Sequence, residues 1–165
     1  MEKLWSPWRS VYIDSFKDSD ENSGCVFCKA QDEEINKDEC LVFYKGKLNF
    51  MMMNLYPYNN GHLMIIPYRH ISDYNELTHD ELNEITDLNG KAIKVLKKIM
   101  SPHGFNFGAN IGQAAGAGIH THLHFHLVPR WNGDTNFMPV LGNVKIISQD
   151  LLETKNKIME EFSKL

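Results

Sequence analysis

The chain has no run of 18 apolar residues among its 165, so no segment is expected to span a bilayer. It has no excess of positive charge either. Seventeen Lys and Arg stand against 21 Asp and Glu, a formal charge of -4 that argues against general binding to nucleic acid or to an anionic membrane surface. The opening, Met1 to Pro7, lacks the apolar core of a signal peptide. The cysteines are too few and too odd for a disulfide framework. There are three, two of them in a Cys-x-x-Cys, which suits a reducing cytoplasm and metal binding. Internal repeats and long linkers are missing as well. Residues 1–165 are therefore expected to form a single domain, with an N-terminal arm over about 1–24 and a C-terminal helix over about 149–164. Hydrophobic residues make up 42% of the chain, enough to bury a core, so disorder is not expected.

Histidine is present in excess at one place. His120, His122, His124 and His126 alternate with Thr121, Leu123, Phe125 and Leu127, and they are half of the eight histidines in the protein. Period-two alternation predicts a half-buried strand with the imidazoles on one face, roughly 6.6 Å apart, and the apolar residues on the other. A sheet face has no need of histidine for burial, so three readings stand. A neutral imidazole is a nucleophile near neutral pH. Two histidines on one strand face can share a metal ion. Or the face is a solvated polar stripe. The segment Asn110 to Gly118 just before it is rich in glycine and small residues, which lets backbone N–H groups approach an anion. Arg130, just past the strand, could add a cation for phosphate. Together they suggest phosphate held beside a nucleophile.

His122-Leu-His124-Phe-His126-Leu-Val, followed by Pro129-Arg130, resembles the signature of the histidine triad superfamily of nucleotide hydrolases and nucleotidyl transferases. The resemblance runs from about Leu4 to about Phe137. It implies an α+β fold in which an antiparallel sheet carries the histidines and a long helix packs on it, with a C-terminal helix and homodimeric assembly. It implies that His124, the middle member, attacks the α-phosphate and carries the nucleotide, and that His126 donates to the phosphate oxygen or the leaving group. His122 would complete the set or bind zinc. Asn54-Leu-Tyr-Pro-Tyr-Asn-Asn-Gly-His62 resembles the family's ribose-binding block. That carries over Asn54 as a ribose contact and His62 as a support of the triad. Asn110, Gln113, Gly116 and Gly118 take the place of the phosphate-binding loop. Ile66-Pro67-Tyr68-Arg69-His70 supplies His70, which joins Cys25, Cys28 and His122 as the ligands of a structural Zn²⁺. Mg²⁺ would accompany the substrate's phosphates and take no part in the chemistry.

The Leu4-Trp5-Ser6-Pro7 opening and Trp131 to Phe137 resemble the diadenosine polyphosphate phosphorylase branch, so the implied substrate is diadenosine tetraphosphate, with phosphate or water as acceptor. A nucleoside phosphoramidase, a metal-dependent hydrolase and a nucleotide-binding interaction module with little turnover are the competing functions. Tyr56 stands where some relatives place a basic residue.

Elsewhere the chain reads simply. Strands are expected over Cys40–Lys45, Leu48–Asn54, His62–Pro67, Phe105–Asn110 and near 144–147, with a tight turn at Lys45-Gly46-Lys47. The Met51-Met52-Met53 run is core filling. Thr78-His79-Asp80-Glu81 is a capping box that starts a helix running to about Met100. Leu82, Ile85, Leu88, Ala92, Val95 or Leu96, and Ile99 mark its buried face. Ser148 is the expected cap of the last helix.

Overall fold

The computed structural model describes residues 24–35, 37, 40–135 and 149–165. Among the described residues, three helices, α1 (Val26–Ala30), α2 (His79–Met100) and α3 (Leu151–Phe162), accompany five strands: β1 (Val42–Lys45), β2 (Asn49–Met53), β3 (Leu63–Pro67), β4 (Gly104–Ala109) and β5 (Phe125–Arg130). The strands form one antiparallel sheet in the order β1-β2-β3-β5-β4. This is the expected α+β architecture with the long helix on the sheet. The N-terminal arm and the strand expected near 144–147 lie outside the described residues.

Alternation along the strands divides the apolar side chains between two faces. Met51, Met53, Leu63, Ile65, Leu123, Phe125 and Leu127 pack on one side with Ile85, Leu88, Ala92, Val95 and Leu96 of α2 and with Ile158 and Phe162 of α3. Phe50, Met64 and Ile66 point the other way, where they meet Phe27 of α1, Cys40 and Val42. Burying each such side chain contributes about 1.5–3 kcal/mol, so both faces support the sheet. Met52 belongs to the second cluster while its two neighbours belong to the first, so the methionine run serves both.

The ends of α2 follow the capping rules. Thr78 Oγ1 accepts from the Glu81 N–H and the Glu81 carboxylate accepts from the Thr78 N–H, the reciprocal pair of a capping box. Arg69 grips the same carboxylate through Nε and Nη2, at 2.7 and 2.8 Å. This holds the Glu81 carboxyl well below its ordinary range, at about 2. One turn further on, Glu84 accepts from the Lys47 and Leu48 N–H groups and from Asn49 Nδ2, so α2 pins the β1–β2 turn. Gly46 is required there. A Cβ would lie 2.7 Å from the Asn49 carbonyl oxygen and 2.8 Å from Glu84 Oε1. Asp150, and not Ser148, caps α3: its Oδ1 accepts from the Glu153 N–H. Ser148 itself lies outside the described residues.

The histidine segment departs from expectation in two ways. The strand begins at Phe125, so His120, His122 and His124 precede it. The register pairs Ile65 with Phe125, which would set Pro67 opposite Leu123. Proline has no N–H to extend the ladder, and the Pro67 carbonyl is occupied by His122 Nε2 at 2.9 Å. On the other side β4 ends at Ala109, where the chain enters the glycine-rich loop. Nor is the segment half-buried. Every residue from His122 to Pro129 is buried, because α1 covers the histidine face while α2 covers the opposite one. His120 is exposed.

Candidate active site and metal-ligand cluster

The alternation survives without the strand assignment, and His122, His124 and His126 stack along one face. The rings of His124 and His126 lie 4.8 Å apart, and those of His62 and His126 lie 5.1 Å apart. Each ring has one nitrogen committed to a group of known polarity, and this sets its tautomer.

His124 Nδ1 lies 2.9 Å from the His122 carbonyl, which can only accept. Nδ1 therefore carries the proton, and neutral His124 presents a lone pair on Nε2. Burial pushes its pKa down from the ordinary histidine value, which favours that neutral form. His62 has the opposite arrangement. Its Nδ1 accepts the Tyr58 backbone N–H at 3.0 Å, so its proton sits on Nε2. Nε2 then donates to His126 Nδ1 at 3.0 Å, which leaves the proton of neutral His126 on Nε2. The result is a bare nitrogen on His124 beside a protonated one on His126.

Cys25 occupies the N-cap of α1 and Cys28 follows within its single turn, so Cys-x-x-Cys sits on a short helix. Ligand atoms of Cys25, Cys28, His70 and His122 all lie within 4.8 Å of one another. The Cys25 Sγ–His122 Nδ1, Cys28 Sγ–His70 Nδ1 and Cys28 Sγ–His122 Nδ1 separations are 3.3, 3.3 and 3.6 Å. Tetrahedral zinc, with bonds of about 2.3 Å to sulfur and about 2.0–2.1 Å to nitrogen, needs S···N edges of about 3.5 Å. The polarity fits too. Donation from Nε2 to Pro67 leaves a lone pair on His122 Nδ1, aimed at the sulfurs. Burial opposes ionisation of the Cys25 thiol, but the His122 hydrogen bond and those from the Cys28 and Phe27 backbone outweigh it and bring it to about 6. The Cys28 thiol is pushed up by burial and by the charge of Cys25. A cation among these donors would relieve that repulsion.

The carried-over substrate residues are less tightly gathered. Asn110 lies with His126 on the wall of a cavity of about 450 Å³ that runs along β4 and β5. Neither Asn54, Gln113, Gly116 nor Gly118 lines that cavity. Asn54 is buried beside His62, and its Oδ1 accepts the Tyr56 N–H. Gln113 opens a short 3-10 turn, and Gly116 closes it at φ 88°. Several participants carry no local signature in sequence: Phe27, whose ring packs on His122 and His124; Tyr58, through its N–H; and Asp134, which binds Arg130. Only the spacing of the turn that holds Pro57 and Gly61 before His62 could have pointed to Tyr58.

Residues 36–133 match the HIT domain family, and the chain belongs to that family. It is 40% identical over 167 residues to the AP-4-A phosphorylase of Mycobacterium tuberculosis, an alignment that spans 99% of this chain and 86% of that protein. Among solved structures, a hypothetical histidine triad nucleotide-binding protein from Sulfolobus tokodaii superposes with a TM-score of 0.67 at 26% identity, covering 86% of this chain and 93% of that one. A Zn-bound histidine triad family protein from Mycobacterium smegmatis reaches the same TM-score at 21% identity, covering 86% and 94%, and bears on the fold alone.

Proposed function

We propose that this protein is a nucleotidyl-transferring enzyme that cleaves dinucleoside polyphosphates at the α-phosphate, with diadenosine tetraphosphate as substrate and inorganic phosphate as acceptor. The observation that carries this reading is the opposed pair of tautomers. His124 Nε2 holds a lone pair because the His122 carbonyl takes Nδ1–H, and His126 beside it holds its proton on Nε2. The 40% identity to an AP-4-A phosphorylase supports the choice of substrate and acceptor.

In the first step the His124 Nε2 lone pair forms a bond to the α-phosphorus. The bond from phosphorus to the bridging oxygen breaks, and the leaving nucleotide keeps the electron pair and departs as an oxyanion, whose charge the His126 Nε2–H stabilises by donating a hydrogen bond. His124 Nδ1–H, bonded to the His122 carbonyl, stabilises the charge that develops on the ring. In the second step a phosphate oxygen attacks the adenylyl group, the P–N bond breaks with its electron pair returning to His124 Nε2, the incoming phosphate keeps its proton in the ADP that leaves, and His126 Nε2–H again bonds the reacting phosphate's oxygen. His62 takes no part in covalent chemistry. It holds His126 in the correct tautomer, and Tyr58 N–H does the same for His62. Asn54, Asn110, Gln113, Gly116 and Gly118 are read as the substrate-binding set.

Cys25, Cys28, His70 and His122 are read as ligands of a structural zinc, which would tie α1 to the loop before β5. The ion would fix the main chain of His122, whose carbonyl orients His124. The one sheet shared by both apolar clusters supports a single domain, and the terminal position of β4 supports pairing into a homodimer. The three free thiols are consistent with a reducing compartment.

Product analysis on diadenosine tetraphosphate tests the reading. ADP and ATP formed only when inorganic phosphate is present are the expected products. AMP and ATP formed without phosphate would make water the acceptor. No cleavage under either condition would overturn the substrate assignment.

A further inference from the structure

The histidine face of β4 and β5 continues past His126, away from His124, as the cavity of about 450 Å³. His126 and Asn110 lie on its wall, and Gly108, Val128, Asn106 and Arg130 extend it along the two strands with Tyr58 over one side. The volume falls within the range of about 300–1,000 Å³ typical of small-molecule sites and far exceeds what an orthophosphate ion needs.

Gly108 shows that the space is not incidental. It sits inside β4, directly opposite His126 in the β4–β5 register. Glycine weakens a strand interior, and a β-branched residue would serve the strand better. No turn requires it, and a Cβ there would meet no atom within 4 Å. The missing side chain therefore leaves room beside His126 that no described part of the protein uses.

At the far end Arg130 is held rigid. Its Nε and Nη2 donate to Asp134 at 2.6 and 2.9 Å, and its Nη1 donates to Asn106 Oδ1 at 2.9 Å. Asp134 in turn accepts from Asn59 Nδ2 at 2.8 Å and from the Trp131 N–H at 3.1 Å. Three of the five guanidinium N–H donors are used in this way, and the other two remain for an anionic ligand.

We propose that this groove is the leaving-group subsite, which takes the distal nucleoside and its phosphates, with Gly108 providing the opening and Arg130 meeting the phosphates. It rests on the reaction proposed above. There, His126 Nε2–H bonds the oxygen that departs, so the departing half of the substrate lies on the His126 side of the reacting phosphorus. The groove begins at His126 and excludes His124, as that order requires. When diadenosine tetraphosphate is the substrate, the groove holds what leaves as ATP.

The test compares two substrates in the full-length protein. Diadenosine tetraphosphate fills the groove; adenosine 5′-phosphoramidate, whose leaving group is ammonia, does not. Gly108→Val places a branched side chain in the opening and suits the strand. The ratio of kcat/KM for the tetraphosphate to that for the phosphoramidate is expected to fall about tenfold or more, carried by KM. Equal losses on both substrates, or an unchanged ratio, would overturn the subsite. Arg130→Gln serves as an independent variant. It is expected to raise KM for the tetraphosphate and leave KM for inorganic phosphate as it was. A rise confined to phosphate would assign the groove to the acceptor instead. Should wild type turn over neither substrate, the reaction reading fails while the groove is still tested by ATP titration. Binding weakened about tenfold by Gly108→Val supports it, and equal binding by the two proteins overturns it.

Discussion

The His122 end and the His126 end of one short stretch use the same side chain for different work. His122 turns Nδ1 toward two sulfurs and a second imidazole, and its Nε2 is bound to the Pro67 carbonyl. His126 turns Nδ1 toward a histidine Nε2–H, and it lines a solvent-reachable cavity. His124 lies between them with Nδ1 on a backbone carbonyl. The partner of one nitrogen decides what the other can do. A carbonyl makes the opposite nitrogen a lone pair, and an N–H donor makes it a hydrogen-bond donor. The comparison also separates stability from chemistry. The His122 end ties α1 to the sheet, whereas the His126 end opens to the cavity along β4 and β5.

The largest effect that sharpens this contrast is expected at the middle histidine. His124→Ala should lower kcat by about 10³-fold or more with a native-like circular dichroism spectrum and melting profile. Near-normal turnover in a folded variant would remove His124 as nucleophile. At the thiol end, Cys25→Ser should release the bound metal and cost about 3 kcal/mol of stability, while the rate per folded molecule changes little. Metal analysis beside thermal unfolding checks this, and a native protein that purifies without zinc would refute the site.

At the cavity end, His62→Phe removes the donor to His126 Nδ1 and should lower kcat by about 10- to 100-fold with little change in KM. His62→Gln, whose amide can donate in its place, should recover part of that loss. Equal defects in both variants would reduce His62 to a packing residue. The smallest effect lies away from both ends. Glu81 has a folded-state pKa depressed to about 2, so its contribution is present above its ordinary value of 4.5 and is lost as pH falls toward 2. Wild type should exceed Glu81→Gln by about 2 kcal/mol near pH 7, after discounting for the half-exposed Arg69. The gap should close with acid. A gap that is constant in urea titrations between pH 7 and pH 2.5 would contradict the assignment.

The periodic signals were legible in the sequence because they are local. The capping box at Thr78, the apolar face of α2, the hairpin at Gly46 and the alternation of histidines all depend on neighbours within a few residues, and each is present. The strand boundary at Phe125 was not legible. It depends on Pro67, more than fifty positions away, arriving opposite Leu123 without an N–H. The burial of the histidine face was hidden for the same reason, since α1 covers it from a distant part of the chain.

What the sequence by itself determined is the chemical inventory: three alternating imidazoles, two thiols in a Cys-x-x-Cys, a glycine-rich approach and a family that uses them. Only the tertiary structure decided which ring nitrogen carries a proton. That choice follows from groups brought in by other elements, namely the Pro67 carbonyl from β3, the Tyr58 N–H from the turn before it and the His122 carbonyl within the loop. Tautomers are set by hydrogen-bond partners in space, and a linear pattern does not contain them.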